Sequence, residues 1–349
     1  MLDSNPRLAV VGAGAIGGIV AAFLAREGHR PCLVTKHPET ARLAREPGLH
    51  VRGVRGEFTQ PVEAVARVDE LPGTQDVVFL ATKATEAQDA AMALLPFLHG
   101  ESLVVSLQNG ICEEALCQVL GRDRVVGCVV GWGATMHGPA DLEMTSGGEF
   151  VLGDLAGRDL PHLAVLGRML GVVVPTRISA NIMGELYAKL IVNSCINTLG
   201  AISGLFLGQM LAIPRARALF TAVMREAMAV AAAMGLTVAP GGGGKLDYYR
   251  FLKGDGLLAR WRRDLTIRAI GHKYRRLKSS SLQSLERGRP TEIDYLNGYI
   301  CQKGRALGVP TPVNLALVGL VKEIEAGSLK IDKANIYKVP WQEAGRASA

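Results

Sequence analysis

The run LAVVGAGAIG, residues 8–17, decides the fold of the N-terminal part of the chain. A short apolar strand is predicted over 7–11 and meets a glycine-rich turn, after which a helical pattern continues to Arg26. A second strand-like run begins at Pro31. Strand, glycine-rich turn, helix and strand in this order are typical of a unit that binds a dinucleotide.

Each of the three glycines of the turn is needed for a different physical reason. Gly12 permits the tight turn, Gly14 lets the backbone approach a pyrophosphate, and Gly17 lets the helix close on the strand. The N–H groups at the helix start then face the phosphates. The predicted phosphate-binding residues are Gly12, Ala13, Gly14, Ala15, Ile16 and Gly17. A glycine-rich turn without a ligand is the alternative that this motif leaves open.

The end of the second strand indicates which dinucleotide is bound. An NAD site usually carries Asp or Glu there to hold the ribose 2′-hydroxyl. Here the chain reads VTKHPET, with Thr35 and Lys36 and no acid before Glu39. A lysine beside a hydroxyl attracts a 2′-phosphate, so the sequence favours NADPH. Lys36 as an ordinary solvated lysine is the alternative.

The alternation of strands and helices continues through residue 180. Strands predicted over 76–81 and 103–107 end in Thr82-Lys83 and Gln108-Asn109-Gly110. Ligands of open α/β sheets bind outside such strand ends, so Lys83 and Asn109 are predicted ligand contacts. A helix-start lysine and an ordinary turn pair are the alternatives.

Further strands predicted over 125–131, 147–152 and 172–176 complete a Rossmann-type α/β domain spanning 1–180. Strand signals then disappear, and 181–349 is predicted to be an all-helical second domain. Between two such domains we expect a cleft, which is a common place for a ligand.

The stretch KLIVNSCIN, 189–197, carries polar residues every fourth position in an apolar helix. Lys189, Asn193 and Asn197 therefore lie near one face, each about 40° around the axis from the last. One ammonium and two amides suit a small anionic, oxygen-rich substrate, and the lysine can donate a proton to a reduced ketone. A structural hydrogen-bond network is the alternative.

Composition limits the classes of partner. The 349 residues are 48% hydrophobic with a net charge of +7, but the basic residues are scattered and few aromatics interleave with them, which disfavours nucleic acid. Six cysteines form no CxxC pair or metal-ligand spacing, and the longest apolar helix candidate carries charges. We expect a cytoplasmic protein with no metal and no membrane segment. The apolar helices over 212–234 and 313–320 could pack on each other or on a second copy, so a homodimer stays open.

Together these marks resemble the ketopantoate reductase (2-dehydropantoate 2-reductase) family over nearly the whole chain. The resemblance rests on GAGAIG at 12–17, Thr82-Lys83-Ala84, Gln108-Asn109-Gly110, the lysine and asparagines of 189–197, serines near 280, and EIDY at 292–295. It implies a Rossmann domain followed by a helical domain resembling that of 6-phosphogluconate dehydrogenase. The implied reaction is the NADPH-dependent reduction of ketopantoate to (R)-pantoate, on the way to pantothenate and coenzyme A.

The resemblance also implies roles for single residues. Lys189 would be the general acid, and Glu292 would contact the cofactor and help position that lysine. Asn193, Asn197 and Ser280 would bind the substrate. Further implied contacts are Asn109 to nicotinamide and substrate, Lys83 to the adenosine half, the Ala134 backbone to the cofactor, and Lys36 to the 2′-phosphate, where the family commonly has arginine.

Three departures from the family pattern bear on the substrate. Thr198 stands where the family often has Pro, Leu277 where an asparagine is expected, and Ser284 where an aspartate is expected. These changes leave the reduction chemistry intact but leave open which 2-oxo acid is reduced. The alternatives are a reductase of another branched 2-oxo acid with the same architecture, or a non-catalytic NADPH-binding protein.

Overall fold

A computed structural model describes residues 6–340 of the chain. The chain divides between Leu186 and Tyr187 into two compact units, called here the N-terminal and C-terminal units. The division falls inside a single helix, Ile182–Ser203.

All the strands lie in the N-terminal unit as far as the described residues go. They are β1 Leu8–Val11, β2 Pro31–Val34, β3 Leu49–Gly53, β4 Phe58–Gln60, β5 Ala64–Val65, β6 Gln75–Leu80, β7 Leu98–Ser106, β8 Val125–Val130, β9 Gly133–Gly138, β10 Asp141–Ser146, β11 Phe150–Asp154 and β12 Thr176–Ile178. Eight of them form one sheet in the order β12-β11-β8-β7-β6-β1-β2-β5. The pairs from β8 to β5 are parallel, and β11 runs antiparallel to β8. The parallel sheet confirms the predicted Rossmann-type α/β fold.

The helices of this unit are α1 Ala15–Arg26, α2 Pro38–Leu43, α3 Ala87–Leu94, α4 Glu113–Leu120 and α5 Pro161–Gly171. A second sheet, in the order β4-β3-β10-β9, covers the far side of α1. Phe23 of α1 packs edge-on against Phe58 of β4, with ring centroids 5.1 Å apart. Because α1 is covered on both sides, every residue from Gly17 to Leu24 is buried.

The C-terminal unit is helical. Its elements are the greater part of α6 Ile182–Ser203, then α7 Leu207–Ala212, α8 Pro214–Ala233, α9 Tyr248–Leu252, α10 Leu257–Lys273, α11 Ser280–Glu286, α12 Asn297–Ala306 and α13 Pro312–Glu325. Pro214 begins α8 at the position where proline's missing N–H costs nothing. Gly242 and Gly243 have positive φ, so the four-glycine run 241–244 forms a turn.

One sequence expectation needs correction, and one feature of the fold was not foreseen. The strand predicted over 172–176 is wrong in position: Val172 ends α5, and the strand is Thr176–Ile178. Apolar β-branched residues in a helix end and in a short strand look alike in sequence, and only packing separates them. The second sheet is also unforeseen, since its strands are short and its two halves lie far apart in the chain.

The loop after β11 is fixed by a buried carboxylate. Asp154 is 5% exposed, and its carboxylate accepts from the backbone N–H groups of Ala156 (2.8 Å) and Arg158 (3.1 Å) and from the Arg158 guanidinium (2.8 Å). The Arg158 guanidinium lowers the pKa of Asp154 to about 2. The folded state therefore binds this proton less readily than the unfolded chain, whose aspartate titrates near about 3.9.

We predict that Asp154→Asn lowers the free energy of unfolding at pH 7 by about 1–2 kcal/mol. The full shift corresponds to about 2.6 kcal/mol, reduced because the Arg158 side chain is half exposed. The wild-type advantage is complete above about pH 4 and is lost as the pH falls toward 2. Urea denaturation from pH 3 to 7 measures it, with the exposed Asp159→Asn as control. A difference that stays constant from pH 7 to 3 would contradict this assignment.

Candidate active site

The glycine turn between β1 and α1 packs too closely for side chains at two of its three glycines. A Cβ on Gly12, whose φ is +110°, would lie 2.7 Å from the carbonyl carbon of Ala81. A Cβ on Gly17 would lie 2.0 Å from the carbonyl oxygen of Gly12. Gly14 differs: a Cβ there would meet no atom within 4 Å of the described structure, and the residue is exposed. The middle glycine therefore faces open space.

The start of α1 offers unpaired backbone donors. The bond from Gly18 N to Gly14 O, 2.9 Å long, begins the helical pattern, so the N–H groups of Ala15, Ile16 and Gly17 precede it. Among the described residues, no side chain caps this helix, and its first turn contains no acid. Ala13 and Ile16 pack against the core and anchor the turn. Open space at Gly14 beside unpaired N–H groups fits a pyrophosphate.

Lys36 follows β2 in a left-handed conformation, with φ of 72°, which is uncommon for a residue with a Cβ. Its ammonium is 2.7 Å from the Glu86 carboxylate, and both side chains are well exposed. The Thr35 hydroxyl, which was expected to assist Lys36, is buried and donates to the carbonyl oxygens of His37 (2.9 Å) and Val65 (3.2 Å). Lys36 is thus an exposed basic group at this strand end, paired with Glu86. Thr35 stabilises the turn.

A polar residue follows the carboxyl end of each of the strands β6 and β7. Lys83 is half-buried and precedes a 3-10 turn, Ala84–Glu86. Asn109 is half-buried in the β7–α4 loop, followed by Gly110 with φ of 84°. Both predicted contacts therefore lie at carboxyl ends of adjacent parallel strands, as the sequence predicts.

Ala134 lies in β9 of the second sheet, which packs on α1. It pairs with Met144 of β10 and is partly buried against the core. The structure thus places this predicted backbone contact on a strand beside the helix that carries the glycine turn.

The polar row of α6 begins on the less buried face of the helix and ends at a buried residue. Lys189 and Asn193 are half-buried, and Asn197 is 7% exposed. Neighbours on the other faces, including Leu190, Cys195 and Leu199, are fully buried. Residues four apart on a helix have Cβ atoms about 6 Å apart, so three side chains can contact one small ligand.

A structural hydrogen-bond network exists beside this row and includes Thr198, Asn297, Asn314 and Glu226. The Thr198 hydroxyl donates to the Asn297 side-chain oxygen, and the Asn297 amide donates to Asn314 at 2.9 Å. The Asn314 amide in turn donates to Glu226 at 2.7 Å, and Glu226 also accepts from the Val313 N–H at the start of α13. Thr198, one of the departures from the family pattern, thus has a structural role.

The serines near 280 divide their roles. Ser279 is buried; its hydroxyl accepts from Leu282 N (3.2 Å) to cap α11 and donates to the Asn197 carbonyl oxygen at 3.4 Å. Ser280, the predicted substrate contact, is exposed in the first turn of α11. Ser279 is thus a serine that hydrogen-bonds the α6 segment, whereas the sequence singles out Ser280 as the substrate contact.

Glu292 is half-buried and precedes the 3-10 turn Ile293–Tyr295. Its neighbours have structural partners: the Thr291 hydroxyl donates to Glu325 at 2.7 Å, and Asp294 pairs with Lys322. The polarity contributed by Thr291 and Asp294 is therefore structural.

One buried acid was not anticipated from the sequence. Glu113, the first residue of α4, is 1% exposed. Acids in a first helical turn usually lie at the surface, so the burial of Glu113 was not predicted. The helical spacing of Glu113, Leu116 and Leu120 could have indicated it, because this spacing places all three residues on one buried face.

Over residues 6–340, the structure has no group of three His, Cys, Asp or Glu side chains able to hold a metal ion. Within the same range, no helix is long and apolar enough to span a bilayer.

We predict opposite outcomes for two glycine variants. Gly17→Ala places a methyl against the Gly12 carbonyl and should lower the melting temperature by several degrees or prevent folding. Gly14→Ala should fold with an unchanged melting temperature, because its φ of −73° suits alanine, yet weaken dinucleotide binding tenfold or more by occupying the pyrophosphate space. Thermal melts and NADPH fluorescence titrations test both. Full NADPH affinity in Gly14→Ala would contradict the site.

Comparisons with known proteins follow the two units. The profile described as "Ketopantoate reductase PanE/ApbA" matches residues 8–157, and that described as "Ketopantoate reductase PanE/ApbA C terminal" matches 181–325. A 2-dehydropantoate 2-reductase of Mesorhizobium japonicum is 30% identical over 342 residues, covering 91% of this chain and 97% of the relative.

Solved structures agree with these matches. A ketopantoate reductase of the PanE/ApbA family from Ralstonia eutropha JMP134 superposes with a TM-score of 0.78 at 32% identity, covering 92% of this chain and 99% of that one. D-mandelate dehydrogenase, solved with NADH and anilino(oxo)acetate, shares the fold with a TM-score of 0.77 at 23% identity, covering 92% and 99% of the two chains. Matches to both units, at this identity and coverage, place the chain in the ketopantoate reductase family, as the sequence motifs implied.

Proposed function

We propose that this protein reduces 2-dehydropantoate to pantoate with NADPH. One observation carries the proposal: Lys189 and Asn193 lie on the less buried face of α6, and Asn197, one turn further on, continues the polar row into the core. An apolar helix that keeps an ammonium and an amide on its less buried side, with a second amide in line with them, is suited to a small polar anion. The uncapped start of α1 and the family's reductase members support a dinucleotide as the reductant.

The chemistry assigns one task to each group. NADPH, held by the N-terminal unit, would supply the hydride that the carbonyl carbon of the 2-oxo acid requires. Lys189 delivers a proton to the carbonyl oxygen, so that the ketone becomes an alcohol and no alkoxide is released. Asn193 and Asn197 hold the hydroxyl and carboxylate groups of the substrate, Ser280 binds the carboxylate, and Glu292 positions Lys189.

We assign the cofactor contacts to residues of the N-terminal unit. The N–H groups at the start of α1 hold the pyrophosphate, and Lys36 binds the 2′-phosphate. Lys83 contacts the adenosine half, Asn109 reaches the nicotinamide side, and Ala134 offers its backbone. The six cysteines are free thiols, which suits a reducing compartment such as the cytoplasm.

Steady-state kinetics with a panel of 2-oxo acids tests the activity, following NADPH absorbance. We expect kcat/KM to be highest for 2-dehydropantoate and to fall for acids with a different branch. A higher kcat/KM for another branched 2-oxo acid would reassign the substrate. Tight NADPH binding without turnover of any acid would overturn the catalytic proposal.

We predict that Lys189→Ala lowers kcat by about a hundredfold or more, as the loss of a general acid implies. NADPH affinity should stay within twofold, because the cofactor is held by other residues. Lys189→Arg is the matched control: it retains the charge but does not release a proton, so it should restore KM for the acid without restoring kcat. Turnover of Lys189→Ala within tenfold of wild type would contradict the role.

We predict that Lys36→Ala raises KM for NADPH about tenfold and leaves KM for NADH unchanged, because only NADPH carries the 2′-phosphate. Glu86→Gln should act in the opposite direction and lower KM for NADPH severalfold, since Glu86 pairs with Lys36 at 2.7 Å. Arg42→Ala, an exposed basic residue of α2, is the control. Equal effects of Lys36→Ala on both cofactors would contradict the assignment.

A further inference from the structure

Basic residues occur throughout the chain, but the excess of positive charge lies in one segment. Residues 250–278 contain ten lysines and arginines and two acids, a net charge of +8. This leaves 29 of the 39 basic residues and 30 of the 32 acids to the rest of the chain, which is therefore close to neutral. The net charge of +7 is thus carried by a short segment that includes all of α10.

The same segment exposes large apolar side chains. Leu257 and Leu258 are each 84% exposed, Trp261 is 65% exposed and Leu265 is 42% exposed. At about 100° per residue, these four side chains fall within one sector of α10 about 100° wide, and we call them the outer face. An apolar stripe of this width is typical of a helix side that packs on another surface.

A different side of α10 holds the helix on the C-terminal unit. Arg263, Ile267 and Gly271 are buried and lie roughly 130° around the axis from the outer face. A Cβ on Gly271 would lie 2.9 Å from the Cβ of Leu211, so α10 rests closely on α7. The outer face therefore points away from the contact that fixes the helix.

Arginines border the outer face on both sides. Arg260 and Arg262 are exposed and lie about 60° and about 40° outside its two edges, and the exposed Arg268 continues the same sector. Arg262 donates to neutral backbone carbonyl oxygens, including that of Arg250 at 2.9 Å, so this contact leaves its positive charge in place. Long arginine side chains beside an apolar stripe can hold their charged ends at a polar boundary while the stripe enters an apolar phase.

The combination of charge and apolar side chains indicates the partner. A second copy of this chain would bring its own segment of net charge +8 against this one across a two-fold axis, which opposes self-association through this face. A nucleic acid supplies negative charge but no apolar phase for three exposed leucines. An anionic bilayer supplies both, because its phosphates attract arginine and its headgroup–acyl boundary accepts leucine and tryptophan.

We propose that the outer face of α10 docks on a bilayer that contains anionic phospholipid. The helix lies in the plane of the interface, where the four apolar side chains enter the headgroup–acyl boundary and the three arginines contact lipid phosphates. This mode of binding needs no helix that spans the bilayer. It does not depend on the proposed function, because none of these residues belongs to the predicted reductase site.

Co-sedimentation of the full chain with vesicles tests the docking. One vesicle contains phosphatidylcholine alone, and the other contains phosphatidylcholine with about one third phosphatidylglycerol. We expect the protein to partition at least about tenfold more strongly to the anionic vesicle, because several arginines meet its surface. The preference should largely disappear when NaCl is raised from about 0.1 M to about 1 M, since the Debye length falls from about 10 Å to about 3 Å.

Two double variants separate the apolar and the charged contributions. Leu258→Ser with Trp261→Ser should lower partition to the anionic vesicle at least about tenfold, because two large apolar side chains no longer enter the boundary. Arg262→Gln with Arg268→Gln should lower it by a similar factor of about ten or more. Leu315→Ser, at an exposed leucine of α13, is the matched control and should leave partition unchanged. Thermal melts check that each variant is folded; if either double variant is not, the single variant Leu257→Ser decides.

Tryptophan emission gives a second measurement. The emission should shift to shorter wavelength on the anionic vesicle, because Trp261 leaves water for the headgroup–acyl boundary. Trp261→Phe keeps an apolar ring, so it should retain partition and lose the shift.

Several outcomes would overturn the proposal. Equal partition of wild type to the two vesicles would remove the role of anionic lipid, and equal partition of wild type and the serine double variant would show adsorption by charge alone. A dimer in light scattering that the serine double variant converts to a monomer would assign the outer face to a second copy. Binding to polyglutamate or RNA without binding to the anionic vesicle would assign it to an acidic polymer instead.

Discussion

The N-terminal unit depends on how closely α1 approaches β1 and β6. The Gly12 carbonyl oxygen occupies the place where a side chain at position 17 would begin, and Ala81 occupies the corresponding place at position 12. Because no side chain intervenes, α1 lies directly on the parallel sheet, and its first N–H groups stand at the carboxyl edge of the central strands. The same contact brings Thr82 beside the turn. The packing of α1 and the position of its first backbone donors are therefore consequences of a single close approach.

The two faces of α6 show a different use of buried polarity. Thr198 is tied into a network that runs through Asn297 and Asn314 to Glu226, so every amide in it has partners. That network fixes α6, α8, α12 and α13 against one another. A ligand-binding face needs such support, because side chains that contact substrate must be held by others that do not.

The sequence predicted the parallel sheet and the helical half because those depend on local patterns. Strand, glycine turn and helix are contiguous in 8–26, and the four-residue period of 189–197 specifies one helical face by itself. Pairings between distant residues were not predictable: the Lys36–Glu86 ion pair, the Thr198–Asn297 bond and the pairing of β3 with β10 each join remote segments. Glu113 was missed for a related reason, since its burial depends on what packs over α4. Among the serines, the choice between Ser279 and Ser280 depends on where α11 begins, which sequence fixes only within a few residues.

The parallel pairing of β3 with β10 has a consequence for biosynthesis. His50 and Asp141, which are 91 positions apart in the chain, are in contact. At about 5–20 residues per second, a ribosome needs roughly 5–18 s to make that interval. During this time the edge of β3 opposite β4 has no strand to pair with, and the outer side of α1 remains uncovered by β10. A nascent chain at this stage presents an open strand edge and an apolar helix, the two features that chaperones bind and that drive aggregation.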